Sequence, residues 1–130
     1  ELNSLNAGRV SCPSRPVLVP TDQAKQQVES YRCDVTKGEE VSKTFDSIKL
    51  AFPNHQLKVS IFNANSPFVM KPFLELNRSD IQPSIDVNLI GAFEFSQAAI
   101  PLMLSNGGTL IFTGATASLK GKPFRSIILE

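Results

Sequence analysis

The stretch Leu57-Lys58-Val59-Ser60-Ile61-Phe62-Asn63-Ala64-Asn65-Ser66 decides how the rest of the chain is read. Val59, Ile61 and Phe62 suit a pleated, buried strand. The small and polar run Asn63 to Ser66 follows at its carboxyl end. Toward the N-terminus, residues 37–52 read as an amphipathic helix. Val41, Phe45, Ile48 and Phe52 recur at spacings of three and four, while Glu39, Lys43 and Asp46 face away. Pro53-Asn54 ends that helix. Before it, Tyr31-Arg32-Cys33-Asp34-Val35 reads as a short strand ending near an Asp. Toward the C-terminus, a loop with Pro67 and Pro72 leads to Asn77, a good N-cap. Asp80, three residues on, completes a capping-box-like pair. Ile81, Ile85, Leu89, Ala92, Ser96 and Ile100 then recur at helical spacing, and Phe93, Phe95 and Leu102 widen the apolar face. Pro83 should kink this long helix or shift its start. Asn106-Gly107-Gly108 breaks it, and Thr109 to Thr113 is a further strand, with Gly114 at its end.

Strand, helix, strand, long helix, strand predicts an α/β domain: a partial Rossmann-like, doubly wound parallel sheet with flanking helices. Short runs apolar on both faces suit central parallel strands. Ligands of such sheets bind at the carboxyl ends of strands. The informative residues are therefore Asp34-Val35, Asn63-Ala64-Asn65-Ser66 and Thr113-Gly114-Ala115-Thr116. Small residues admit a flat ligand, and Asp, Asn and Thr can hydrogen-bond a purine or a ribose. The same residue types also make the caps and turns of any strand-to-helix loop.

The chain of 130 residues is the size of one domain, and its net charge of +1 comes from scattered residues. Without a basic face, nucleic acid is not an expected partner. No apolar run approaches the ~20 residues of a membrane span. Glu1-Leu2-Asn3-Ser4 lacks the order of a signal peptide and has no initiator Met, so the sequence reads as a fragment or a processed product. Cys12 and Cys33 read as reduced thiols of a cytoplasmic domain. His55, after Pro53-Asn54, belongs in a solvated turn without metal-binding partners. Residues 1–30 read as a helix end followed by a Pro-rich connector or insertion, residues 31–123 as the core, and residues 124–130 as a divergent tail.

Asp34-Val35-Thr36 after a strand, Asn63-Ala64 after the next, and Asp86-Val87-Asn88 within a long helix stand in a telling order. Phe73-Leu74-Glu75-Leu76, Leu89 to Phe93, Gln97 to Pro101 and the Gly107-to-Thr116 strand complete the pattern. Together they resemble the short-chain dehydrogenase/reductase family. The resemblance implies that Asp34 hydrogen-bonds an adenine amino group and that Val35 provides the next contact. Asn63 and Ala64 would lie near the adenine ribose. Asn88 would be the helix-distorting asparagine of a catalytic tetrad, holding a proton-relay water; alternatively, it is a helical Asn bonded to its own backbone. The implied cofactor is NAD or NADP, and the implied substrate is a small carbonyl or alcohol.

The sequence also departs from the family. The loop that usually reads Asn-Asn-Ala-Gly is here Phe62-Asn63-Ala64-Asn65. Ala115 falls at the family's catalytic Ser, and Thr116 is the adjacent hydroxyl that could substitute, ahead of Thr113 and Ser118. There is no Tyr-x-x-x-Lys, and Tyr31 is the one tyrosine. There is no G-x-G-x-x-G phosphate loop either. Two readings follow. The first is a piece of an NAD(P)-dependent oxidoreductase, inactive and poor in dinucleotide binding by itself. The second is a non-catalytic binding or oligomerisation module using the long helix 77–104, with Phe93, Phe95, Leu102 and Met103 for a partner or for the chain's own core. A different doubly wound domain with another ligand is a third.

Overall fold

A computed structural model describes residues 28–67 and 69–115. The Pro-rich connector, Thr116, Ser118 and the tail lie outside these residues. The helix predicted over residues 37–52 is α1, Gly38–Ala51. Glu39 and Glu40 in its first turn and Lys49 in its last complement the helix dipole. The apolar spacing works as read, since Val41 and Phe45 are buried. The following strand is β1, Val59–Phe62, and it pairs in parallel with β2, Thr109–Phe112. The register runs from Val59 opposite Thr109 to Phe62 opposite Phe112.

The connection between the strands carries the long helix. Asn77 caps it: its Oδ1 accepts from the Ser79 and Asp80 N–H groups, while Asp80 accepts from the Asn77 N–H. Helix α2, Arg78–Ser84, leads without a break into a wide π segment, Ile85–Gly91, and then α3, Ala92–Ala99. Pro83 sits inside α2 and neither starts nor ends it. It lacks one helical donor, and the widening begins two residues later. A 3-10 turn, Ile100–Leu102, closes the rod.

Two apolar clusters hold these elements. Val35, Phe62 and Val87 form one, with Ala64, Ala92 and Phe95 against it. Val41, Phe45 and Ala99 form the other, with Cys33, Leu57, Leu102 and Leu110 among those packed on it. Phe95 joins them, its ring centroid 5.4 Å from Phe45 and 5.3 Å from Phe62.

Two expectations need correction. Tyr31 to Val35 does not form a strand of its predicted length; Cys33 alone makes a bridge. The chain already turns toward α1 at Val35 and Thr36, where the Lys37 N–H donates to the Asp34 carbonyl at 3.0 Å. The second correction concerns the sheet faces. Ser60 and Phe62 are buried beneath the helices, whereas Val59 and Ile61 are about half exposed, at 51% and 56%. Helical cover is on one face among the described residues. Phe95 and Met103, weighed for a partner, are turned into the chain's own core region.

Candidate functional site

Three segments meet at the carboxyl end of β1: the turn into α1, the loop after β1, and the π segment. Asp34 is held from several directions. Its N–H donates to Glu40 Oε2 at 2.9 Å. Its Oδ1 accepts from the Thr36 N–H at 3.1 Å and the Thr36 hydroxyl at 2.7 Å. Lys37 Nζ stands 3.7 Å from Oδ2. Partial burial pushes the Asp34 carboxyl up, but the Thr36 hydrogen bonds and Lys37 outweigh it, and the group lies below the ordinary carboxylate range. The carboxylate is thus ionised and oriented, with Oδ2 the less occupied acceptor. Glu40 is also held down, by the Asp34 N–H and by Lys37.

Val35 is buried against Phe62 and Val87, so it links the Asp34 turn to both β1 and the π segment. Gly91 makes that approach possible. A Cβ there would stand 3.0 Å from the Val35 carbonyl oxygen and 3.1 Å from its Cγ2. Ala64 packs on the same cluster, while Asn63 is exposed. Four of the residues singled out from the sequence, Asp34, Val35, Ala64 and Asn88, are therefore brought to one edge.

Asn88 lies in the middle of the π segment. Its Oδ1 accepts from the Ser66 N–H at 3.1 Å, so the side chain reaches across to the β1 loop. Ser66 Oγ and Ser84 Oγ are 2.7 Å apart, and both residues are buried. The sequence reading passed over this hydroxyl pair, although a serine four residues before Asn88 on a largely apolar helix was a signal. It also missed Glu40 and Gly91. At the end of β2, the Thr113 N–H donates to the Phe62 carbonyl at 3.0 Å. A Cβ at Gly114 would meet nothing within 4 Å among the described residues. Among the described residues, no group of three or more His, Cys, Asp or Glu could hold a metal ion, and no helix is long and apolar enough to cross a membrane.

Residues 9–127 match the short chain dehydrogenase family. The chain belongs to this family. Carbonyl reductase family member 4 of Danio rerio is 30% identical over 89 residues, 68% of this chain and 36% of that protein. A tropinone reductase homolog of Arabidopsis thaliana is 30% identical over 94 residues, 72% of this chain and 34% of that protein. The chain spans about a third of the length of these relatives. The crystal structure of NAD+-bound xylitol dehydrogenase superposes with a TM-score of 0.67 at 29% identity, covering 74% of this chain and 36% of that one. The fold is accordingly a partial Rossmann-like fold of the short chain dehydrogenase type, in a family of NAD(P)-dependent oxidoreductases.

The site thus presents an oriented carboxylate at Asp34, with the small Ala64 packed on the cluster that holds Val35. The glycine cradle for the pyrophosphate and the tyrosine–lysine pair are not among the 130 residues.

Proposed function

We propose that this chain forms the adenosine-side wall and the asparagine-bearing helix of an NAD(P)-dependent oxidoreductase acting on a small carbonyl or alcohol. The observation that carries this reading is the meeting of Asp34 and Asn88 at the carboxyl end of β1 through Val35, Val87 and Gly91. Asp34 accepts a hydrogen bond from the adenine amino group, and Val35 supplies the adjoining contact. Asn63 and Ala64 border the ribose. Asn88 holds a water of the proton relay, its carboxamide fixed by Ser66. NAD or NADP, when bound, supplies or accepts the hydride. Thr116 is the hydroxyl nearest the family's serine position, beside Ala115. A cytoplasmic setting would keep both Cys12 and Cys33 as reduced thiols.

Carbonyl reduction also needs a proton donor of suitable pKa. The sequence offers none at the family's tyrosine position, so this polypeptide alone is expected to be inactive and to bind dinucleotide weakly. Turnover of NADH or NADPH with a panel of carbonyls, together with calorimetric titration of both cofactors, tests this. Measurable turnover overturns the expectation of inactivity, and a micromolar dissociation constant overturns that of weak binding. Loss of residual cofactor binding in Asp34→Ala supports the wall assignment, and unchanged binding removes it.

A second reading has its own observation. Leu89, Phe93 and Ile100 are exposed at spacings of four and seven along the long helix, and Leu104 is exposed in the turn that follows it. That stripe suits a non-catalytic or oligomerising role for residues 77–104. Sedimentation of the chain and of Phe93→Glu tests it: a dimer dispersed by the substitution supports self-association, and a monomer in both removes it.

A further inference from the structure

Asn88 Oδ1 is anchored by Ser66, and Ser66 is itself held by another residue. The Ser66 N–H donates to Asn88 Oδ1 at 3.1 Å, and Ser66 Oγ lies 2.7 Å from Ser84 Oγ. Ser84 precedes Asn88 by four residues, roughly one turn along the rod. Ser66 thus grips the helix at two points, one on each side of the change from α to π geometry. A backbone N–H can only donate, so this contact fixes which end of the Asn88 carboxamide faces the loop. The hydroxyl pair is well placed to maintain the grip. Ser66 is 6% exposed and Ser84 4%, a buried hydroxyl without a partner is costly, and the other contact of Ser66 Oγ, to the Pro67 carbonyl, is long at 3.5 Å.

We propose that Ser84, acting through Ser66, is a positioning residue for Asn88: the buried hydroxyl pair sets the carboxamide's orientation and locks the β1 loop onto the π segment. This rests on the reading of Asn88 as a site residue. Its test needs no turnover, so the two can fail separately. Amide hydrogen exchange and side-chain NH2 resonances are recorded on the 15N-labelled chain. In Ser84→Ala, the Ser66 amide is expected to exchange about tenfold faster, the effect of weakening one anchoring hydrogen bond. The Asn88 NH2 resonances shift as well, while protection at Phe45 and Ile48 in α1 is unchanged. Ser84→Thr, which keeps the hydroxyl, restores both signals. If Ser84→Ala does not fold, the Ser66→Ala/Ser84→Ala double variant removes both hydroxyls and leaves neither orphaned. It is expected to fold with the Asn88 resonances still displaced. Unchanged Asn88 resonances in whichever variant folds, or a loss of protection spread evenly through α1, overturns the proposal.

Discussion

Ile61 and Phe62 are neighbours in β1, yet Phe62 is 6% exposed and Ile61 56%. The side-chain period of a strand puts them on opposite faces. Phe62 faces the helices and meets Val35, Val87 and Phe95. Ile61, with Val59 and Ile111, stays about half exposed. The residue types do not distinguish the two faces, because both are apolar. What differs is cover among the described residues: α1 and the long helix pack on the same side, and that side carries the candidate site.

The contrast can be broken most severely at Phe62. Phe62→Ala is expected to cost about 3–5 kcal/mol, because it opens a void between Val35, Val87 and the Phe95 ring that joins the two clusters. Urea denaturation followed by circular dichroism measures this, and a loss below about 1 kcal/mol would show that the covered face is not the stabilising one. Gly91→Ala comes next. Its Cβ meets backbone at the Val35 carbonyl, which cannot swing aside, so about 1–3 kcal/mol is expected. The same substitution should perturb Asp34 resonances, since Val35 adjoins Asp34. Asn77→Ala removes the cap of the long helix and should cost about 1 kcal/mol, read as a lower urea midpoint.

Acid sharpens the contrast further. Asp34, Glu40 and Asp80 all lie below the ordinary carboxylate range in the folded chain; at Asp80 the main causes are the Lys71 hydrogen bond and the Asn77 N–H. Groups with lowered folded pKa stabilise the fold above their unfolded values, and that contribution is lost as pH falls through the folded ones. The urea midpoint should therefore drop between about pH 5 and about pH 2. Lys37 is raised, chiefly by its hydrogen bond to Glu40, so its contribution fades instead at alkaline pH. A midpoint flat across the acid range would remove these carboxylates from the account. Ile61→Ser is the smallest effect expected. On the face left uncovered by the described residues it should change stability by no more than about 0.5 kcal/mol, and a loss of several times that would show Ile61 to be covered in solution.

Much of this was legible in the residues. The Val41, Phe45, Ile48, Phe52 spacing foretold α1, and Asn77 with Asp80 foretold the capping box, because both depend on contacts within a turn or two. The parallel alternation was also readable, through order and spacing. Less legible was what Asn88 touches. Its partner, Ser66, stands 22 residues away, and only the return of the long helix beneath the β1 loop brings them together. The length of the Tyr31–Val35 segment was misread for a related reason: Thr36 and Lys37 fold back onto Asp34 and end the extended run early.

The sequence by itself determined the helix periods, the cap, the two strands and the membership of a dinucleotide-binding family, since these follow from local patterns and their order. The tertiary structure alone decided which sheet face lies under helices, that Gly91 must be small beside Val35, and that Ser66 and Ser84 share a buried hydrogen bond next to Asn88. Those outcomes depend on how distant segments pack, and the backbone path that sets their packing is not written in any one stretch of residues.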